Sequence, residues 1–267
     1  DLDGLAVSYG PGLVGSLLVG VSVAKALSFS LELPLAAVNH LEGHIYANFL
    51  TGATIAFPLL CLVVSGGHTS LLFMEGHGKI EILGRTRDDA AGEVFDKVAR
   101  ALGLGFPGGP VIDKLARKGE AAAFSFPRAL MGEEGKLDFS FSGLKTAVLN
   151  CIRRETEKGS RIRTEDLAAA FQEAVVDVLV EKSLMAVRQR STARQFLLAG
   201  GVAANGELRR RLRQRLAEVH MELIHPPVEL CTDNGAMIAA AGHYYLRQGR
   251  RASWDLNAVP NLELVGV

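Results

Sequence analysis

Three features of this sequence predict an α/β protein. Short apolar runs that read as strands alternate with longer stretches of helical periodicity. Two of these runs flank Ser65-Gly66-Gly67-His68-Thr69, which signals a β-hairpin. A third run enters Gly200-Gly201 and passes into a helix. Mixed hairpins and β-loop-α units place ligands at the carboxyl ends of strands.

The elements follow in order. Leu5–Tyr9 reads as a strand, closed by the turn Gly10-Pro11-Gly12, with a helix after it to about Ser30. Leu35–Val38 is a second short strand, leading into a helix that carries His40 and His44. Pro58–Val64 and Ser70–Met74 form the hairpin. Helices are expected over about Asp89–Leu104, Pro110–Lys118 and Ser142–Glu155. The longest helix runs from Thr164, placed as N-cap, to about Arg190; Glu165 and Asp166 favour its first turn. Leu167, Phe171, Ala174, Val178 and Met185 keep its apolar stripe. Strand Gln195–Ala199, a helix beyond Asn205, strand Met221–Ile224 and a final helix from Asp233 to about Arg247 complete the chain.

At 267 residues, 48% hydrophobic and 22% charged, the chain can bury a sizeable core and lies outside disordered composition. Its length fits one large domain or two lobes. The formal net charge is zero, so any nucleic-acid surface has to be local. Cys61, Cys151 and Cys231 are widely spaced and odd in number, which suits a reducing cytosol and argues against disulfides or a cysteine zinc site. The apolar stretch Leu13–Leu33 is interrupted by Gly15, Ser16, Gly20, Ser22, Lys25 and Glu32 and reads as a buried helix, with no membrane span expected.

Three constellations carry chemistry. In Asn39-His40-Leu41-Glu42-Gly43-His44, histidines four apart share one helix face and can hold one cation, or stand as an unliganded pair. Glu42 follows His40 by two residues, which turns it roughly 200° away at about 3.6 residues per turn. A metallopeptidase needs its glutamate beside the metal, so this spacing supports a metal and not that chemistry. The turn Val63-Val64-Ser65-Gly66-Gly67-His68-Thr69 offers bare backbone and hydroxyl donors to an anion, or is a tight turn needing positive φ. Gly200-Gly201-Val202-Ala203-Ala204-Asn205 can lay a nucleotide against backbone, with Asn205 as helix cap or as a ligand for ribose or adenine.

Eight motifs occur in an order found together in one family. They are Gly-Pro-Gly-Leu-Val-Gly-Ser-Leu (10–17), Asn-His-Leu-Glu-Gly-His (39–44), Val-Ser-Gly-Gly-His-Thr (64–69) and Asp-Asp-Ala-Ala-Gly-Glu-Val-Phe-Asp-Lys (88–97). Pro-Gly-Gly-Pro (107–110), Phe-Ser-Phe-Ser-Gly-Leu-Lys-Thr (139–146), Ala-Gly-Gly-Val-Ala-Ala-Asn (199–205) and Cys-Thr-Asp-Asn-Gly-Ala-Met-Ile (231–238) complete the series. Over essentially its whole length the chain resembles the tRNA N6-adenosine threonylcarbamoyltransferases of the TsaD type, formerly called O-sialoglycoprotein endopeptidases, and it resembles bacterial members.

The resemblance implies a two-lobed actin/Hsp70/sugar-kinase-like (ASKHA) fold with ligands in the cleft. Residues 1–57 plus 236–267 would form the first lobe and 58–235 the second. His40, His44 and Asp233 would bind one divalent metal, iron by preference or zinc. Asp233 could instead cap a helix. Val63, Val64, Ser65, Gly66, Gly67, Asp96, Gly109, Asp113 and Asn205 would hold threonylcarbamoyl-AMP or an ATP/AMP-like nucleotide, with Gly200 and Gly201 facing it. Asp96 has a bland alternative in a pair with Arg100. The implied activity transfers threonylcarbamoyl to the N6 amine of the adenosine 3′ of the anticodon in tRNAs reading codons that begin with A, in the cytoplasm. Implied partners are tRNA, a shorter paralogue of the same fold and a small ATPase.

Arg209, Arg210, Arg211, Arg213 and Arg215 are candidates for tRNA phosphate, or a solvated face. Competing readings are an ATPase or kinase of the same fold, a metallopeptidase, and a non-catalytic scaffold subunit. The family's N-terminal Gly-Ile-Glu-Thr-Ser-Cys-Asp-Glu-Thr-like loop has no counterpart here. The expectation is a first lobe truncated at its N-terminus, with an unpaired sheet edge and no turnover by this chain alone.

Overall fold

Strands β3 (Leu59–Val64) and β6 (Gln195–Ala199) are buried at every position and pair in parallel at the centre of a five-stranded sheet. Continuous apolar runs are required there because both faces are covered. The computed structural model describes residues 2–132, 135–159 and 162–264. The sheet order is β5-β4-β3-β6-β7, with β4 (Thr69–Gly76) and β5 (Lys79–Arg85) antiparallel and β7 (Glu222–Ile224) parallel.

Period-two alternation divides β3 between two cores. Leu60, Leu62 and Val64 join Phe95, Phe139, Phe171 and Leu208 on one face, while Leu59, Cys61 and Val63 meet Leu41 and Ile45 on the other. The first face is covered by α3 (Ala91–Ala101), α4 (Gly108–Ala116), α5 (Ser142–Glu157), α6 (Thr164–Gln189) and α7 (Gly206–Ala217). A separate parallel pair, β1 (Leu5–Gly10) and β2 (Leu35–Asn39), lies between α1 (Val14–Leu31) and α8 (Gly235–Arg247). Gly242 lets α8 sit tight on it, since a Cβ there would meet that of Ala6 at 2.3 Å. The short helix α2 (His40–Tyr46) joins the two sheets.

Three expectations are corrected. Helix α1 is not buried. Leu17 and Val21 pack inward, but Leu18, Val19, Val23, Leu27 and Phe29 face out, because only the narrow β1–β2 layer lies beneath it. It is long and apolar enough to cross a membrane by length and composition, with 17% of that window buried. Thr164 is the first helical residue of α6; Arg163 stands at the cap without a side-chain bond. Strand β5 was not expected. Its Lys-Ile-Glu-Ile alternation after His77-Gly78 carries the signal of a half-exposed edge strand, with two register shifts against β4. Of the expected first lobe, residues 1 and 265–267 lie outside the described residues.

Candidate metal and nucleotide site

Asn39 ends β2 and starts α2: its side-chain Oδ1 accepts from the Leu41 amide at 2.9 Å while its Nδ2 donates to the Glu263 carbonyl at 3.1 Å. This cap orients the first turn, where His40 and then His44 follow on one face. Both imidazole Nε2 atoms lie 3.3 Å from the same Asp233 oxygen. Asp233 does not cap α8. Asn234 does, accepting from the Met237 amide at 2.9 Å, so the Asp233 carboxylate is left for the histidines. Hydrogen bonds from His40 and His44 hold that carboxyl far below the usual range, against the opposing pull of burial.

One ligand atom from each of the three residues lies within 4.8 Å of the others. Two imidazole nitrogens and a carboxylate oxygen suit a divalent ion such as iron or zinc. The His44 side chain is 2% exposed and that of Asp233 76%, so the cluster opens to solvent on the aspartate side. Glu42 points the other way. It is buried, and burial pushes its carboxyl up, against the lowering influence of the nearby Tyr245 hydroxyl and Arg250.

His68, which motif reading left without a role, sits near the pair. Burial, and then the charges of His40 and His44, lower its pKa. Its place directly after Gly66-Gly67 was the available signal.

The Ser65–His68 turn closes on itself, with the Ser65 amide donating to the His68 carbonyl at 2.8 Å and the His68 amide to Ser65 Oγ at 3.2 Å. Thr69 is turned inward, where its hydroxyl accepts from the Ala91 amide at 3.0 Å. Val63 and Val64 spend their side chains in the cores, leaving only backbone for a ligand. Gly66 and Gly67 do not have positive φ, and a Cβ at either would meet nothing within 4 Å. Turn geometry therefore does not demand glycine there. Gly109 and Gly201 are open in the same way. Gly200 differs: its φ is 89° and a Cβ would sit 2.4 Å from the Val64 carbonyl oxygen.

Asp96 is not paired with Arg100; its Oδ1 accepts from the Gly108 amide at 2.7 Å and anchors the start of α4 beside Gly109. Asp113 pairs through Oδ2 with Arg117 at 2.6 Å, while its Oδ1 is buried without a hydrogen-bond partner. It lines a cavity of about 480 Å³ with Gln172, Gly206 and Arg210. Asn205 caps α7 by accepting from the Leu208 amide at 2.9 Å and donates to Gln172 at 2.7 Å.

The arginines of α7 are engaged within the chain. Arg209 donates to the carbonyls of Ala203 and Pro226 and to Cys231. Arg210 pairs with Glu207, Arg211 with Asp177, and Arg215 with Glu181 and Glu218; Arg213 contacts His225.

A family model described as TsaD, tRNA N6-adenosine threonylcarbamoyltransferase, matches residues 1–240. A protein of that name from Desulfitobacterium hafniense is 58% identical over 264 residues, covering 99% of this chain and 77% of its own. One from Symbiobacterium thermophilum is 59% identical over 264 residues, covering 99% and 76%. Among solved structures, HypF of T. kodakarensis aligns at TM-score 0.65 and 17% identity, over 96% of this chain and 42% of that one. A full-length HypF in a phosphate- and nucleotide-bound form aligns at TM-score 0.66 and 16% identity, over 96% and 40%. At that identity the likeness is one of fold.

Proposed function

The chain belongs to the tRNA N6-adenosine threonylcarbamoyltransferase family and acts in tRNA threonylcarbamoylation, and from that premise we propose how its cleft works. The observation that carries the reading is the convergence of His40, His44 and Asp233 beside a glycine turn with open backbone. Residues around β1–β2, α1, α2 and α8 form one lobe, and the five-stranded sheet with its helices the other, as in ASKHA proteins. The substrate threonylcarbamoyl-AMP lies between them.

His40, His44 and Asp233 would hold one divalent metal, iron by preference, which supplies Lewis acidity toward the bound acyl adenylate. The chain's own groups do the rest. Backbone at Gly66, Gly67 and Gly201 approaches the phosphate closely, with amide donors available for negative charge. Gly109 and the free oxygen of Asp113 meet the nucleoside portion. Asn205 caps α7 and donates to Gln172, which leaves its second amide hydrogen and second oxygen lone pair for the ligand. The N6 amine of the adenosine 3′ of the anticodon attacks the carbamoyl carbon; the new C–N bond forms, the bond to the phosphate oxygen breaks, AMP leaves and the amine loses a proton. An anticodon loop presents that base without opening a duplex. Arg210 and Arg213, the more exposed α7 arginines, are the phosphate contacts that remain available once Arg209 is committed inward. Partner subunits of the family type, a shorter paralogue and a small ATPase, and a cytoplasmic setting accompany this reading.

The burial of Glu42 against Tyr245 removes the base that a peptidase would need. The test is incubation with threonylcarbamoyl-AMP and unmodified tRNA, with nucleoside analysis, alongside metal content of the protein. His40→Ala/His44→Ala should lose stoichiometric metal while staying folded. Full metal content in that double variant would overturn the ligand assignment.

A further inference from the structure

We infer that His77 is the pin of an aromatic clasp that fixes the angle between the two lobes, and through it the spacing of the metal ligands from the glycine turns. The inference rests on the lobe division proposed above. His77 occupies the turn between β4 and β5, in the second lobe. The rings gathered on it come from the other side. Tyr244 of α8 stacks at 4.0 Å between centroids and 20° between planes. Tyr46 of α2 lies at 5.7 Å and 17°, and its hydroxyl shares a 3.0 Å hydrogen bond with Nδ1 of His77. Phe57 meets the ring edge-on at 4.8 Å and 73°, and Phe49 leans on it at 5.3 Å. Gln248, just past α8, donates to the His77 carbonyl at 3.2 Å. Stacked and edge-on pairs are the geometries aromatic rings prefer, and the contacts from Tyr46, Tyr244 and Gln248 cross from one lobe to the other.

What makes this more than packing is which elements meet. Helix α2 begins at His40 and ends at Tyr46. Helix α8 begins two residues after Asp233 and carries Tyr244. Strand β4 begins after the glycine turn and ends next to His77. The three elements that leave the site are thus rejoined at one residue, about 14 Å along α8 at ~1.5 Å per residue and about 27 Å along β4 at ~3.4 Å per residue. By the 1–57 plus 236–267 division His40 and His44 lie in the first lobe and Asp233 in the second. A rotation of roughly 5° about His77 therefore moves the aspartate against the histidines, at about 14 Å from that point, by about 1 Å, too much for a metal ligand set held to ~0.2 Å. Hinge contacts remote from a cleft act in this way. His77 is accordingly a positioning residue.

The experiment measures the distance between nitroxide labels at Ser22→Cys on α1 and Arg153→Cys on α5, both exposed, in a chain whose three native cysteines are buried. Zinc affinity is measured in parallel by chelator competition. His77→Ala should broaden or shift the distance distribution by several ångströms and weaken zinc about tenfold. His77→Phe, which keeps the stack, should hold both near wild type. Leu216→Ala, a core truncation elsewhere in the second lobe, should leave the distribution narrow. If His77→Ala does not fold, Tyr244→Leu, which removes one ring and keeps apolar volume, is read the same way. A His77→Ala distribution that superimposes on wild type, or equal broadening in Leu216→Ala, overturns the clasp. Failure of the wild-type protein to bind zinc defeats the metal reading instead, and the label distances still decide the clasp.

Discussion

Gly200 and Gly201 are neighbours in the chain and stand for two regions built on opposite rules. Around Gly200 the frame is closed. Its φ of 89° suits glycine, and the Val64 carbonyl stands where a side chain would begin. At Gly201, as at Gly66, Gly67 and Gly109, the backbone is ordinary and the space beside it is empty. Gly15, Gly76, Gly132, Gly143 and Gly235 are open in the same way, so openness does not by itself mark a binding site; at Gly201 it leaves the room that the proposed ligand would need. Gly200 tolerates no added atom, whereas Gly201 does.

The sharpest way to break this division is Gly200→Val. Positive φ and a backbone clash together should cost about 3 kcal/mol or more, measured as a large drop in Tm or loss of soluble protein. A Gly200→Val protein with wild-type Tm would show that the frame is looser than its geometry. Gly201→Val should do the reverse. Nucleotide affinity by calorimetry should fall about tenfold, roughly 1.4 kcal/mol, while Tm moves by less than about 4 °C. Wild-type affinity in that variant would remove the ligand from this turn.

The smallest effect belongs to the frame again, at Asp88. Partial burial alone would raise its pKa, but bonds from Ser140, Phe141 and Ser142 outweigh it and lower the carboxyl below its ordinary value. A depressed folded-state pKa contributes stability above the unfolded pKa and loses it as pH falls through the folded one. Asp88→Ala should therefore destabilise at pH 7 by about 1 kcal/mol or less, given its exposure. The difference from wild type should shrink as the pH falls below 4. A gap that stays constant with pH would show that the carboxylate's charge is not what ties the Ser140–Ser142 segment to the start of α3.

The histidine helix and the arginine helix make the same contrast in side chains. His40 and His44 were legible because their spacing alone puts them on one face, and Glu42 was legible as facing away for the same reason. The arginines of α7 were legible as a charged face but not as an engaged one. Glu207 and Glu218 are local partners of Arg210 and Arg215. Asp177 and Glu181 on α6, which hold Arg211 and Arg215, lie about thirty residues away in sequence and come alongside only through packing. Helix α1 reads in sequence like the buried α6, yet differs in the breadth of the layer it rests on, and no periodicity records that.

The sequence by itself determined the order of strands and helices apart from the edge strand β5, the two glycine turns and the shared face of the histidines. Each depends on hydrogen bonds, φ preferences or periodicities acting within a few residues. Tertiary structure decided what distant groups find each other. It turned Asp233 onto both imidazoles by giving the cap of α8 to Asn234, separated clamped glycine from open glycine, and drew His77 into a ring of aromatics from distant elements. Those outcomes depend on which surfaces are left free once the sheets and helices pack, and a linear pattern holds no record of that competition.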